Sequence, residues 1–500
     1  MPRAILRALI FSHRWLGLAL CLLFTLWFTS GIVLMYWGYP AVDAVDRLAH
    51  APALRAAEVR LSPIEAWERL KYFGQPDRAE LITVLGRPAY VFTIEDERGV
   101  VYADDGSVLA AVDEGFARAV AADWVRQEGR TAVFDGLMRL PNVDQWTVGG
   151  PAYQYWPLYK FTWPDGETVY VSSTTGEVMQ HTTPGTRIGA YLGAIPHWLY
   201  FTPLRRDGAL WQRVVLWSSG LGLVATLLGL AIGIWIYSPR GRYRTADGRP
   251  ASIPYAGQKR WHTIFGLFFG LCVCTWGLSG MLSMAPVPAL NRPALIGAQV
   301  ATALQGGFLD LRAFAGKSPR AALEEIGEAI QVKRLEFSLF GGEPLYLAIQ
   351  SPQESRLVPV NFKADTYFDP DLVTLLVSQG IDPVKVAEAG LIHEYDAYYL
   401  DRDGELPLPA LRLRLDDSQG SLLYIDVRTA RLLASYSREG RWNRWLYHGL
   451  HSLDFPWLYR YRPLWDIVML VLLGGGTAVS VTAVIIGWQF LVRKAGSIRA

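Results

Sequence analysis

Charged residues are missing from four long stretches of this 500-residue chain. No Asp, Glu, Lys or Arg occurs in Leu16–Trp37, Val214–Tyr237, Thr263–Met284 or Ile467–Val492. Each stretch is long enough to cross a bilayer as a helix, because about 20 apolar residues span the hydrocarbon core. The absence of charge therefore excludes a wholly soluble protein and predicts a bundle of four transmembrane helices.

Cysteine is scarce. The chain has three cysteines, and all of them lie within these stretches, at Cys21, Cys272 and Cys274. The long segments between the stretches therefore cannot form disulfides or cysteine-ligated zinc or iron–sulfur sites. No nicotinamide or flavin fingerprint is visible either, and the short loop between the second and third stretches leaves no room for such a domain.

Positive charge borders the four stretches unevenly. Three basic residues precede the first stretch, six lie in the loop 238–261 against one acidic residue, and three follow the fourth. Because basic residues mark the cytoplasmic side of a membrane, this loop and both termini are predicted to be cytoplasmic and the two long segments to lie outside. The net charge of +2 gives no sign of a nucleic-acid partner, and none is expected.

The charge pattern also sets the domain boundaries. The first stretch is interpreted as a membrane span and not as a cleaved signal peptide, since no small-residue cleavage motif follows it. The predicted units are 1–37 (N-terminus and first span), 38–209 (first outer domain), 210–237 (second span), 238–261 (cytoplasmic loop), 262–284 (third span), 285–462 (second outer domain), 463–492 (fourth span) and 493–500 (cytoplasmic tail).

The first and third spans share a pattern of residues that is unusual for membrane helices. With His13 aligned on His262, at least seven positions coincide without a gap, and His, Trp and a Ser-Gly pair are not generic apolar filler. We therefore predict an internal duplication, and we interpret the Ser-Gly pairs as points of close helix packing. The matched positions are His13 and His262, Gly17 and Gly266, Leu18 and Leu267, Trp27 and Trp276, Ser30 and Ser279, Gly31 and Gly280, and Met35 and Met284.

Each outer segment repeats a helix, strand and turn pattern. Ser62 with Glu65, and Ser318 before a proline, are typical of capped helix starts. Alternating apolar runs at 89–94, 168–171 and 422–427 predict strands that end in glycine-containing turns. We expect two small α+β units in each outer segment; the alternative is that these are unrelated loops.

Several of these motifs resemble those of the PepSY-associated transmembrane proteins. They are His13-Arg-Trp-Leu-Gly-Leu, Val169-Tyr-Val-Ser-Ser-Thr-Thr-Gly-Glu-Val, Leu423-Tyr-Ile-Asp-Val and Arg441-Trp-Asn-Arg-Trp-Leu-Tyr-His-Gly-Leu-His-Ser-Leu-Asp-Phe. The resemblance covers nearly the whole chain. It implies two periplasmic PepSY-like α+β domains on a four-helix membrane bundle, and a relation to inner-membrane reductases that carry haem b and reduce ferric siderophores.

Four of the eight histidines occupy matched positions. His13 and His262 lie at the inner ends of the first and third spans. His197 and His451 lie just outside the second and fourth spans, each 14 residues before a tryptophan, and this register makes His451 rather than His448 the partner of His197. If the halves pack about a pseudo-twofold axis, the histidines converge as two pairs at two depths.

Paired neutral imidazoles are suited to be the two axial ligands of a haem iron. The sequence therefore predicts one haem b between His13 and His262 and a second between His197 and His451. The alternative is that these are ordinary histidines at a membrane boundary, satisfied by water and lipid headgroups. The other three histidines, at His50, His181 and His393, have no matched partner and are expected at the surface.

Other polar residues near these histidines are candidates for a supporting role. His448 is interpreted as an alternative ligand, a partner of a haem propionate or a proton relay. Arg14, Arg260 and Arg444 are candidates to pair with propionates, although the cytoplasmic bias of basic residues is by itself enough to account for Arg14 and Arg260.

The leading hypothesis is a membrane-bound ferric reductase. It would pass electrons outward across the bacterial inner membrane to a periplasmic ferric siderophore or other ferric chelate, taking them from a separate cytoplasmic protein or from the quinone pool. The alternative is a haem-free membrane scaffold or regulator that binds a peptide, a protease or a partner protein. A transporter is less favoured, because no span carries a charged residue.

Overall fold

The computed structural model describes residues 3–95, 97–130, 133–291, 294–402 and 404–499. Its α-helices are α1 (Arg3–Leu34), α2 (Ala44–Ala49), α3 (Pro63–Leu70), α4 (Glu114–Gln127), α5 (Pro184–Leu192), α6 (Ala194–Trp198), α7 (Thr202–Arg205), α8 (Gly208–Ile236), α9 (Gly257–Leu282), α10 (Gly297–Gln305), α11 (Pro319–Ile326), α12 (Pro370–Gly380), α13 (Arg438–Asn443), α14 (Leu450–Ser452), α15 (Pro456–Tyr459) and α16 (Arg462–Arg499).

Both long segments between the spans contain β-strands as well as helices. The strands are β1 (Arg78–Val84), β2 (Arg87–Ile94), β3 (Glu97–Tyr102), β4 (Gly136–Arg139), β5 (Leu158–Thr162), β6 (Thr168–Ser172), β7 (Val178–Thr182), β8 (Tyr243–Arg244), β9 (Pro250–Ala251), β10 (Arg334–Phe340), β11 (Glu343–Ser351), β12 (Glu354–Pro359), β13 (Val386–Ile392), β14 (Ala410–Leu415), β15 (Leu422–Asp426) and β16 (Arg431–Tyr436). Among the described strands, only the short pair β8 and β9 lies elsewhere, in the basic loop between α8 and α9.

The four predicted spans are confirmed as long apolar helices. The helices α1, α8, α9 and α16 are long and apolar enough to cross a membrane, with mean hydropathy between 1.7 and 2.2 in their most apolar windows. All four begin before the uncharged stretches, because the polar residues that flank the stretches are compatible with helix. The helix α1 packs against α8 and α16, and α9 packs against the same two helices. The helices α1 and α9 therefore face each other diagonally across the bundle.

The outer segments contribute three larger antiparallel sheets. One of them has six strands in the order β12-β11-β10-β1-β2-β3, so the first units of both segments share a single sheet. The joint lies between β1 and β10, where Leu81 is paired with Leu335. The core on one face of this sheet contains residues of both segments, including Tyr90 and Tyr346. The second units form separate four-stranded sheets, β4-β5-β6-β7 and β13-β14-β15-β16.

The local sequence signals of the outer segments are confirmed. The Ser62 side chain accepts a hydrogen bond from the Glu65 backbone N–H, and the Glu65 carboxylate accepts one from the Ser62 backbone N–H. The Ser318 hydroxyl likewise accepts a hydrogen bond from a backbone N–H at the start of α11. The three predicted strands lie within or overlap β2, β6 and β15.

Candidate functional site

The inner histidines face each other across the bundle. His13 on α1 and His262 on α9 have ring centres 6.2 Å apart. His13 Nδ1 lies 2.8 Å from the carbonyl oxygen of Ala225 on α8. His262 Nδ1 lies 3.1 Å from the carbonyl oxygen of Val479 on α16 and 3.1 Å from Thr482 Oγ1. Each imidazole is therefore oriented by the helix that packs beside its own.

The outer histidines form a second pair, on short helices just outside the long ones. His197 in α6 and His451 in α14 have ring centres 6.1 Å apart. His197 Nδ1 lies 3.0 Å from the Trp27 carbonyl oxygen and 3.4 Å from Ser30 Oγ. His451 Nδ1 lies 2.9 Å from Ser279 Oγ. The two serines that match in the sequence thus contact the two matched histidines.

Burial keeps the outer imidazoles neutral. Desolvation lowers the pKa of His197, and it lowers the pKa of His451 to about 3, with a smaller contribution from the neighbouring imidazole. Neutral imidazole is the form that binds a metal, because the coordinating nitrogen must have a free lone pair.

In all four imidazoles the same ring nitrogen, Nδ1, contacts the protein. Nδ1 has an oxygen partner in each case, which leaves Nε2 for another ligand. Histidines that bind metals usually donate their other ring N–H to such an acceptor, which fixes the tautomer and the ring orientation. A metal lies about 2.0 Å from an imidazole nitrogen and the nitrogen about 1.2 Å from the ring centre, so imidazoles on opposite sides of one metal have centres about 6.4 Å apart. Both observed spacings are close to this value.

Two glycines make room for these imidazoles. A Cβ atom at Gly229 on α8 would lie 2.5 Å from His13 Cε1, and one at Gly31 would lie 3.3 Å from His197 Cε1. The sequence predicts close helix packing at Gly31, and a Cβ atom there would also lie 3.3 Å from Leu473 Cδ2 on α16, so both the neighbouring helix and the histidine approach this glycine. Gly229 gave no sequence signal, because its counterpart in the second half is not glycine.

An aromatic layer lies between the two pairs of histidines, next to the outer pair. The Phe28 ring on α1 lies 5.7 Å from the Trp276 ring on α9, and Phe24 packs against Phe28. From His13 to Ser30 the helix α1 rises about 25 Å, at about 1.5 Å per residue. The pairs therefore lie near opposite ends of the bundle, with apolar side chains between them.

His448 and Arg444 lie beside the outer pair without joining it. The His448 side chain is exposed, and its Nδ1 lies 4.0 Å from a carboxylate oxygen of Asp454. Arg444 is buried in the π-helical turn Arg444–Gly449, and its Nη2 donates a hydrogen bond to the Asp454 carbonyl oxygen at 2.6 Å. Its Nη1 has no hydrogen-bond partner among the described residues. Arg444 thus has a buried donor to offer to a ligand.

The two arginines near the inner pair are differently placed. Arg14 is exposed, and its guanidinium carbon lies 5.0 Å from the centre of the Phe490 ring on α16. Arg260 is half-buried in α9, two residues before His262. The Arg14 guanidinium thus already has a cation–π partner in Phe490, with no bound ligand needed to account for its position.

The expectation that all three unmatched histidines lie at the surface is wrong for two of them. His50 and His181 are half-buried, because carboxylates of Glu128 and Glu167 pack against their rings. His393 is exposed, as expected. The contact of His50 with Glu128 joins residues 78 positions apart, so no local motif could have indicated it, whereas His181 and Glu167 lie in the same hairpin.

A comparison with known protein families gives a match over most of the chain. A family model described as the PepSY-associated TM region matches residues 12–489. No curated protein matches the chain. The matched region includes all four histidines of the two pairs and nearly all of the four long apolar helices.

Proposed function

The chain belongs to the PepSY-associated transmembrane family, and from this premise we propose that it is a haem b protein that carries electrons outward across a bacterial inner membrane. Its acceptor would be a periplasmic ferric siderophore or other ferric chelate. Both termini and the basic loop 238–261 would lie in the cytoplasm, and the three larger sheets in the periplasm. The two halves would be products of an internal duplication.

One observation carries this proposal above the others. Two pairs of imidazoles, one at each end of the bundle, have ring centres 6.2 and 6.1 Å apart, and each imidazole has its Nδ1 occupied by the protein. A histidine that only lines a membrane boundary does not need a second histidine beside it at a spacing that two ligands of one metal would also have. That this occurs twice supports two haem sites.

The residues that would hold the two haems are the paired histidines. His13 and His262 would bind the inner haem, and His197 and His451 the outer one. Bound haem supplies reversible one-electron transfer. The neighbouring helices fix each imidazole, the aromatic layer around Phe28 excludes water between the sites, and the buried Nη1 of Arg444 offers a hydrogen bond to a propionate.

The ferric acceptor is proposed from the resemblance to ferric-siderophore reductases. One electron delivered to a ferric chelate converts Fe(III) to Fe(II), which common oxygen-rich chelators hold far less well because it carries less charge. The protein would therefore need only to admit the chelate near the outer pair. The electron donor would be a separate cytoplasmic protein or the quinone pool, because the sequence contains no nicotinamide or flavin motif.

The decisive measurement is a reduced-minus-oxidised absorption spectrum of the purified full-length chain, with haem quantified per chain. We expect two haems in the unmodified protein and one in each of the variants His197→Ala and His451→Ala. The variant His393→Ala is the matched control and should keep both, because its side chain is exposed and far from the pairs in sequence.

A chain without a Soret band would refute the proposal and favour a haem-free scaffold. A spectrum that is unchanged in both His197→Ala and His451→Ala would refute the outer site alone. In the latter case the inner pair would have to be tested in the same way, with His13→Ala and His262→Ala.

A further inference from the structure

A cavity in the first outer segment has no part in the proposed function. Its volume is about 170 Å³, and it lies between the six-stranded sheet and α4. Val84 and Val100 line it from the sheet, and Val120 and Trp124 line it from α4. An apolar cavity of about 150 Å³ is large enough to hold a benzene molecule. The space therefore fits one aromatic ring or one branched apolar group.

The corresponding space in the second half of the chain is filled. There Leu347 of β11 belongs to one continuous core with Val373 of α12 and Leu413 of β14. In the first half the apolar residues on this face of the sheet, among them Val100, form a cluster separate from the core that contains Trp124. Residues of both clusters line the cavity, which thus occupies the gap between them.

A smaller side chain lies on this face of the sheet in the first half. The strands β2 and β11 correspond, because each places a buried tyrosine, Tyr90 or Tyr346, in the core on the other face. The next residue is Val91 in β2 and Leu347 in β11. An unfilled apolar cavity lowers stability, since the atoms that line it lose packing contacts. A ligand would restore those contacts in the half of the chain that leaves the space open.

Lys333 gives the cavity a positive charge that is not paired with an acidic side chain among the described residues. Its Nζ donates a hydrogen bond to the Ala49 carbonyl oxygen at 2.6 Å. An ammonium group has three donors, so others are left for an anion. Arg47, also at the cavity, donates to neutral acceptors. The two acidic residues of the lining, Asp123 and Glu177, each pair with an arginine.

We propose that this cavity binds a small organic anion that consists of one carboxylate and one aromatic ring or branched apolar group. The apolar part would pack between Val100 and Trp124, and the carboxylate would accept a hydrogen bond from Lys333. A hydrogen bond between an ammonium and a carboxylate is about twice as strong as a neutral one. The ligand class follows from the size, the apolar lining and the charge of the cavity, and it does not depend on either haem.

A bound anion would also connect the two outer segments. Lys333 comes directly before β10, and the next residue, Arg334, is paired with Ile82 of β1 at the joint of the six-stranded sheet. Trp124, on the opposite side of the cavity, belongs to the first outer segment. A ligand that contacts both segments binds the closed sheet and therefore stabilises the folded chain.

Equilibrium dialysis of the full-length protein with benzoate can test this site. Benzamide is the neutral isostere of this probe, and detergent without protein gives the background. We expect benzoate to bind with a Kd of about 1 mM or tighter, and benzamide to bind about tenfold more weakly. In Lys333→Gln benzoate should bind as weakly as benzamide. The matched control is Lys363→Gln, because Lys363 is exposed and lies outside the lining.

A second variant tests where the probe binds. Val120→Phe introduces a larger side chain into the cavity from α4, and we expect it to abolish the binding of both benzoate and benzamide. Val120 is half-buried, so the larger side chain is compatible with the fold. Size-exclusion chromatography checks that both variants are folded.

Benzoate that does not bind the unmodified chain, or that binds Val120→Phe as tightly, would overturn the site. Equal binding of benzoate and benzamide, or unchanged benzoate binding in Lys333→Gln, would overturn the assignment of an anion to it. If Lys333→Gln does not fold, the comparison of benzoate with benzamide on the unmodified chain decides the charge of the ligand, and Val120→Phe decides its position.

Discussion

The inner and outer histidine pairs reach nearly the same spacing by different means. The inner imidazoles lie on the long helices α1 and α9 themselves, and their Nδ1 atoms face backbone carbonyls of α8 and α16. The outer imidazoles lie on the short helices α6 and α14, and the serine hydroxyls of Ser30 and Ser279 face them from the long helices. Both imidazoles of the inner pair therefore have a backbone acceptor, with Thr482 as one additional side-chain partner, whereas His451 of the outer pair has a serine hydroxyl as its described acceptor.

This difference determines which substitutions can reach each pair. A backbone carbonyl cannot be removed by substitution, so apart from the Thr482 hydroxyl the inner pair is disturbed by changing the histidines or by crowding them. A serine hydroxyl can be removed with almost no change in volume, so the outer pair can be weakened without crowding. Substitutions near each pair therefore test whether the two pairs differ in the way their imidazoles are held.

The largest effect is expected from crowding the inner pair. In Gly229→Ala the new methyl group would lie 2.5 Å from His13 Cε1, so the imidazole must move. We expect loss of the inner haem with retention of the outer one, measured as haem per chain. Gly17→Ala is the control, since a Cβ atom there meets nothing within 4 Å. Two haems in Gly229→Ala would show that the inner pair tolerates crowding.

An intermediate effect is expected from the outer serines, and it should be unequal. His451 Nδ1 has Ser279 Oγ as its described acceptor, whereas His197 Nδ1 also has the Trp27 carbonyl oxygen at 3.0 Å. Ser279→Ala should therefore weaken haem retention at the outer site by about 10- to 100-fold, and Ser30→Ala by clearly less. Haem loss to apomyoglobin would measure both rates. Equal rates would mean that the two hydroxyls contribute alike.

The smallest effect is expected from the one side-chain acceptor of the inner pair. Thr482→Val removes the hydroxyl 3.1 Å from His262 Nδ1 but leaves the Val479 carbonyl at 3.1 Å. We expect less than about tenfold faster haem loss from the inner site, because one acceptor is enough to fix the tautomer. A loss as large as that of Ser279→Ala would contradict the view that the inner pair rests on backbone atoms.

The sequence predicted the membrane helices and the pairing of the histidines well. An uncharged apolar run of more than 20 residues is long enough to cross a membrane as a helix. The alignment of the first span with the third identified His13 and His262 as partners, and the fold brings their rings together. The role of Ser30 and Ser279 was missed, because a small residue in a membrane helix is more often a packing residue. Their second contact depends on short helices whose positions no helical periodicity reveals.

The sequence also did not predict which distant parts of the chain contact each other. The pairing of β1 with β10 joins strands more than 250 residues apart, and nothing in the sequence of either strand indicates which strand it pairs with. The contact of His50 with Glu128 likewise joins residues 78 positions apart. Local signals predict an element's type, whereas the choice of partner depends on which edges and surfaces meet in three dimensions.

The palindromic order of the six-stranded sheet has a consequence for how the protein assembles. β1 and β10, the first described strand of each long segment, meet at its centre, so half a chain alone would expose an unpaired strand edge and the apolar face behind it. Two half-chains could close the same sheet only by finding each other, at a rate set by their concentration. The covalent link between the halves replaces that encounter with an intramolecular one. Separately expressed halves should therefore recombine in a concentration-dependent manner, whereas the intact chain closes its sheet at any dilution.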